Sequence, residues 1–221
     1  MTDIREQVER YLRQQAELFP PEIFFVDQTP VEPIEMPSLE RLQEQVKQCQ
    51  LCELARTRTH VVFGMGNPQA DLMFIGEAPG ENEDLQGLPF VGRAGELLDK
   101  ILAAIKLHRS EVYIANIIKC RPPQNRTPHS DEVAACIPYL YHQIELIQPK
   151  LIVCLGLVAA KNLLQVEYTV ERFRNSLFQF AGIDVVVTYH PAALLRNPNL
   201  KPAAWQDFQK IQKMYLEKRG Q

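Results

Sequence analysis

Residues 76–84 read GEAPGENED, a Gly-x-x-x-Gly turn that carries Glu77, Glu81, Glu83 and Asp84 within nine positions. The stretch before it, DLMFI (71–75), has the apolar run of a buried strand. A glycine-rich turn after a strand commonly cradles phosphate on backbone N–H groups. Four carboxylates repel phosphate, so a ligand of another kind is expected at this turn.

A second set of reactive groups is the cysteines. Cys49 and Cys52 form a C-x-x-C pair, Cys120 follows 68 positions later and Cys136 a further 16. By count, four thiolates ligate zinc or an iron–sulfur cluster equally well. The C-x-x-C spacing alone also fits a redox pair. Cys154, inside LIVCLG, reads as a buried apolar residue, and that reading stays open for Cys120 and Cys136. An odd total of five, in a chain whose polar opening MTDIREQVER predicts no signal peptide, argues for reduced thiols or metal ligands over disulfides.

These residues need elements to position them. Strand-like runs occur at 71–76, 112–119, 150–155 and 184–189, and helix-like runs at 95–107, 130–147, 157–164 and 203–218. Pro138 is expected to kink or divide the second helix. Strands that are apolar on both faces and alternate with helices predict an α/β fold, a three-layer α/β/α with a central, mainly parallel four-stranded sheet. Ligands of such folds bind outside the carboxyl ends of the strands. Glu77, Asn116 and His190 stand at three of those ends, so one rim is expected to gather them.

The chain divides into two parts. In residues 1–37, Ile4, Val8, Tyr11 and Leu12 predict a short amphipathic helix, and five prolines over 19–37 predict an extended arm. The arm is a candidate recruiter of a replication or repair protein. Residues 38–221 form the expected domain, with Ser38 as the N-cap of its first helix. Residues 1–44 hold 10 of the 27 acids and 4 of the 24 bases, leaving a mildly basic remainder of 20 bases against 17 acids. That balance permits a DNA-facing surface. The longest apolar run, LIVCLGLVAA (151–160), is half of the roughly 20 residues a membrane helix needs. A soluble, cytoplasmic monomer is expected.

Four stretches, CELARTRTHVVFGMGN, GEAPGENEDLQGLPFVGRAGELLDKIL, YIANIIKCRPPQNRTPHSDEVAAC and TYHPAALLR, closely resemble the family 4 uracil-DNA glycosylases. The resemblance runs in order from about Ser38 to about Lys218. It implies a hydrolase that flips uracil out of DNA and leaves an abasic site. It also implies a 4Fe–4S cluster on Cys49, Cys52, Cys120 and Cys136, with the role of a mechanical tie.

The resemblance then assigns roles. Phe90 would stack on the flipped ring. The Asn116 amide would pair with uracil N3–H and O4, and cytosine would turn both contacts into clashes. His190, aimed by Pro191, would donate to uracil O2 as charge builds on the leaving base. Glu77, Glu83 and Asn125 match positions that line or brace the pocket, and Glu77 would crowd the methyl of thymine. Ala78 stands where another branch carries a water-handling aspartate, which implies a dissociative path. Glu81 and Asp84 read as a solvated face or helix cap. Leu194 and Leu195 are candidate wedges in the base stack, and Lys119, Arg121, Arg126 and Arg196 candidate phosphate contacts.

Two rival readings accompany this one. A sister branch traps DNA covalently through a histidine in a basic insertion, but KCRPPQNRTPHS has no insertion, Ala78 is not the glutamine expected there, and His129 is a weak substitute. A non-catalytic iron–sulfur DNA-binding accessory protein would not need the pocket residues.

Overall fold

Leu151, Val153 and Leu155 alternate along one strand with Ile152 and Cys154, and the two sets enter separate cores on opposite faces of a single sheet. The same division sends Leu72 and Phe74 one way and Met73 and Ile75 the other. All are 0% exposed, which explains the continuous apolar runs: a parallel sheet covered on both faces has no wet side. The computed structural model describes residues 38–219. The helix and arm expected over 1–37 lie outside the described residues.

The sheet contains β1 (Met65–Gly66), β2 (Leu72–Gly76), β3 (Tyr113–Asn116), β4 (Leu151–Leu155), β5 (Phe178–Phe180) and β6 (Ile183–Thr188). Its spatial order is β1-β3-β2-β4-β6-β5. The four inner strands are parallel, whereas β1 lies antiparallel on β3 and β5 antiparallel on β6. The expected four-stranded sheet is therefore corrected to six strands. The two extra strands sit at the edges and hold only two and three residues, too few to show an alternation. Ala181 and Gly182 close the β5–β6 hairpin with positive φ (49° and 80°), which matches strand twist in a two-residue turn.

Helices α3 (Arg93–Ala104) and α8 (Lys201–Arg219) cover one face, packing Leu98, Leu102, Phe208 and Ile211 against Phe74 and Val153. The other face is covered by α4 (Ser130–Ile147), α5 (Leu157–Leu164) and α6 (Val170–Arg174) through Leu140, Ile144, Leu163 and Phe173. Outside α4 lies α1 (Leu39–Lys47), capped by Ser38 Oγ accepting from Arg41 N at 3.3 Å, with Leu42 and Val46 against Phe63 and Tyr139. Two short helices, α2 (Glu81–Gln86) and α7 (Pro191–Arg196), follow strand ends at the rim.

Helix α4 runs undivided through Pro138, so the division offered as one of two expectations does not occur. The proline removes the ladder bond to the carbonyl of Ala134, but Ile137, Leu140 and Ile144 stay buried, and tertiary packing outweighs one missing bond. Register then builds the rim. Pairing of β2 with β3 sets Gly76 beside Asn116, and pairing of β4 with β6 sets Leu155 beside Thr188. Glu77, Asn116 and His190 consequently leave the sheet at the same end.

Candidate active site

A cavity of about 320 Å³ opens at this rim, lined by Glu77, Ala78, Phe90, Asn116, Asn125 and His190, with Glu83, Arg126 and Arg196 also on its wall. Asn116 is 2% exposed, and its Oδ1 is, among the described residues, the one buried side-chain polar atom with no hydrogen-bond partner. A buried acceptor left unpaired costs about 1–3 kcal/mol, so a donor from a ligand is the natural partner. A methyl group on Gly76 would lie 2.4 Å from this oxygen and 2.7 Å from Phe90 Cζ. Only glycine lets the two side chains share this corner.

Phe90 is 6% exposed and adopts φ 54°, a left-handed conformation costly for a bulky residue. Arg109 holds it there, donating to the Phe90 carbonyl at 2.9 Å and to that of Pro89, while pairing with Asp99 at 3.0 Å. Gly95 permits the turn, since a Cβ there would lie 1.8 Å from the Phe90 carbonyl oxygen. The Phe90 ring ends 5.6 Å from the His190 ring, centroid to centroid, at 31°.

His190 caps α7: its Nδ1 accepts from the N–H of Ala192 at 3.1 Å. The neutral ring therefore carries its proton on Nε2 and can donate from there. Burial, helped by the nearby Arg196 charge and opposed by Glu83, lowers its pKa from 6.5 to about 4. His190 is thus a neutral donor at pH 7. Gly156, at φ +93°, makes room behind it, where a Cβ would sit 3.0 Å from His190 Cβ.

The carboxylates divide by function. Glu83 Oε1 accepts from Val91 N (2.9 Å) and Gly92 N (2.8 Å), and Oε2 from Gly80 N (3.1 Å). It braces the turn and the start of α3 together. Glu77 is half-buried; burial raises its pKa, while a hydrogen bond with Thr127 and the charge of Arg196 oppose the rise. Asp84 is 3% exposed and accepts from Thr59 N at 2.9 Å and His60 N at 3.4 Å. The reading of Asp84 as a solvated or capping group is corrected: it is a buried anchor for residues 59–60. Glu81 is exposed and stands 3.6 Å from Arg121.

Beside this rim lie the thiols. Burial raises the Cys120 thiol, Arg58 opposes, and Cys52 and Cys49 add to the rise. Cys136 accepts from Lys119 N at 3.2 Å, and Cys120 from Arg58 Nη1 at 3.2 Å. Cys136 in turn feels the charges of Cys120 and Cys52, so the four sulfurs share one neighbourhood. Yet among the described residues no three His, Cys, Asp or Glu groups are grouped to hold a single metal ion.

A model of the uracil DNA glycosylase superfamily matches residues 63–209. The chain belongs to that superfamily. A type-4 uracil-DNA glycosylase of Sulfurisphaera tokodaii is 45% identical over 190 residues, covering 82% of this chain and 86% of that protein. One of Archaeoglobus fulgidus is 45% identical over 184 residues, covering 80% and 92%. One of Thermotoga maritima is 42% identical over 186 residues, covering 82% and 96%.

Within this superfamily fold, two of the expected DNA contacts, Leu194 and Lys119, need correction. Leu194 is 2% exposed and packs with Tyr189 and Ala204, so it cannot enter a base stack; Leu195, at 36%, faces outward instead. Helix periodicity turns adjacent leucines about 100° apart, and α8 claims the first. Lys119 is 0% exposed, with its ammonium bonded to the Asn116 carbonyl and Gln143 Oε1, and cannot reach phosphate. Arg126 forms a two-pronged pair with buried Glu132 (2.8 and 2.6 Å) while still lining the cavity. Arg121 donates to Asn125 Oδ1 at 2.7 Å. His129 is the N-cap of α4 and does not line the cavity.

Sequence reading overlooked Arg109, Thr127, Gln143 and Arg58. None has a local signal, because each acts on a partner distant in sequence, Gln143 on Phe63 across 80 positions. The one available hint was chemical: Gln143 interrupts the apolar face of α4.

Proposed function

We propose that this chain excises uracil from DNA by hydrolysing the bond between uracil N1 and deoxyribose C1′. The observation that carries the reading is the pairing, in one cavity, of an orphaned acceptor on Asn116 with a neutral imidazole donor on His190. Uracil offers N3–H to the first and O2 to the second. The nucleotide must leave the duplex to reach this depth, as base-processing enzymes require, and Phe90 supplies the stacking face.

Chemistry follows from those contacts. As the C1′–N1 bond breaks, its electron pair moves into the uracil ring and onto O2. His190 Nε2–H then donates to an oxyanion rather than a carbonyl, a bond about twice as strong. This gain exists only in the transition state and lowers the barrier. Water adds to C1′ of the oxocarbenium-like sugar and loses a proton to solvent, from which the departing uracil anion is reprotonated. Ala78 brings no base to that step, so bond breaking precedes water capture. Glu77 walls the side where a 5-methyl group would project.

Cys49, Cys52, Cys120 and Cys136 would hold a 4Fe–4S cluster. The four are soft sulfur donors that feel one another's charge, Cys120 that of Cys49 and Cys52 and Cys136 that of Cys52 and Cys120, and soft thiolates are the donors iron–sulfur clusters take. Bound, the cluster would tie the segment before β1 to the segment after β3. Arg121, Arg126, Arg196 and Leu195 face the DNA side in this reading, and uracil-containing DNA is the partner.

The test is cleavage of an oligonucleotide containing one uracil, with thymine and cytosine controls. Strand scission at uracil alone, after alkaline treatment, is expected. Binding without release of uracil would instead support the accessory-protein reading.

A further inference from the structure

Asn116 ends β3 where its neighbour on one side has already stopped, since β1 pairs only with Tyr113 and Ile114. Side chains fill the gap that follows. Lys119 Nζ donates to the Asn116 carbonyl at 2.9 Å and to Gln143 Oε1 at 2.5 Å. Gln143 Nε2 in turn donates to the Phe63 carbonyl at 3.0 Å and contacts the Tyr113 hydroxyl at 3.3 Å. The chain of bonds from Asn116 through Lys119 and Gln143 to Phe63 continues the ladder by side chains.

Both Lys119 and Gln143 are 0% exposed. The Lys119 amine is bonded to two neutral oxygens and has the Cys136 and Cys120 sulfurs as electrostatic partners, and burying a cation this way is an expensive means of stabilising a fold. What the arrangement does supply is a fixed peptide carbonyl directly behind the Asn116 side chain, whose buried Oδ1 has no protein partner. An amide that must read the edge of a base tolerates little angular error, since hydrogen bonds weaken steeply off line.

We propose that Lys119 and Gln143 are positioning residues that set the orientation of Asn116, and through it the discrimination of the pocket. The inference rests on the reading that the cavity takes uracil. The contact needs only an N–H donor on Lys119. Neither residue touches the base; both act through the backbone of Asn116.

A double-mutant cycle on the iron-loaded protein tests this, with Lys119→Met, Asn116→Ala and their combination. The probes are free uracil, which reports the pocket, and an oligonucleotide with a stable abasic analogue, which reports the grip on DNA. Lys119→Met is expected to weaken uracil binding about tenfold (about 1.4 kcal/mol) and leave abasic DNA affinity unchanged. In the Asn116→Ala background it is expected to cause no further loss. Equal loss in both backgrounds, or an equal drop on abasic DNA, overturns the proposal. Should Lys119→Met not fold or not retain iron, Gln143→Leu takes its place in the cycle, and additivity there overturns the proposal equally. A wild-type chain that neither binds uracil nor cleaves uracil DNA defeats the underlying reading, a result distinct from additive loss in a chain that does both.

Discussion

The sharpest expectation concerns a residue with no side chain. Replacing Gly76 by alanine places a methyl carbon 2.4 Å from Asn116 Oδ1, 2.7 Å from Phe90 Cζ and 2.9 Å from Phe90 Cε2. Ordinary contact begins at 3.4 Å, so Asn116 must yield by about 1 Å and the ring by somewhat less. Neither has an easy retreat: Asn116 is 2% exposed, and the main chain of Phe90 is clamped by Arg109. The backbone of Gly76 is not left-handed, so collision and not φ strain is the whole effect. Overpacking costs about 1–3 kcal/mol, which a domain of ordinary stability survives. A displacement of 1 Å at groups that bind the reacting base is worth roughly 10²-fold in rate. Gly76→Ala should therefore fold, hold abasic DNA, and excise uracil about a hundredfold more slowly in single-turnover assays, with a thermal melt as the control. Excision at the wild-type rate would refute the placement of uracil against Asn116 and Phe90.

Other expectations follow from the same geometry. His190→Ala should lower turnover by roughly 10²–10³ while DNA affinity changes little, and equal loss of both would contradict its role as a transition-state donor. Because His190 titrates at about 4 and not 6.5, the rate should show no break near pH 6.5. The folded state resists protonation there, so the His190 contribution to stability is whole above pH 6.5 and declines by roughly 3 kcal/mol as pH falls to about 4. Denaturant titrations of wild type and His190→Gln at pH 7 and 4.5 measure that slope, which the variant should lack. Leu194→Ala should cost about 2–5 kcal/mol of stability, whereas Leu195→Ala should leave the melt unmoved and slow excision from duplex DNA. The purified protein should be brown, absorbing near ~400 nm as thiolate-ligated iron does, and a colourless zinc-loaded sample would remove the cluster from the proposal.

Much of this molecule was legible along the chain. The stretches 72–75, 151–155 and 185–187 are apolar at every position because their strands are covered on both faces, and their shortness separates them from buried helices. The placement of Glu77, Asn116 and His190 at strand ends followed from the parallel topology. The edge strands were not legible, being too short to carry a period, and the continuity of α4 through Pro138 depended on neighbours that local propensity ignores.

The sequence by itself determined the layered architecture and the rim that gathers the polar residues, because both are encoded in periodicity and residue type, whereas the choice of four among five cysteines came from the family resemblance. Tertiary structure alone decided which of two adjacent leucines is buried, that Asp84 anchors residues 59–60, and that Lys119 turns inward to Asn116 instead of outward to DNA. The physical reason is common to all three. A polar or apolar side chain takes the partner that folding brings to it: Asp84 takes Thr59 from 25 positions away, and Lys119 is drawn inward by Gln143, 24 positions away, where no local pattern reaches.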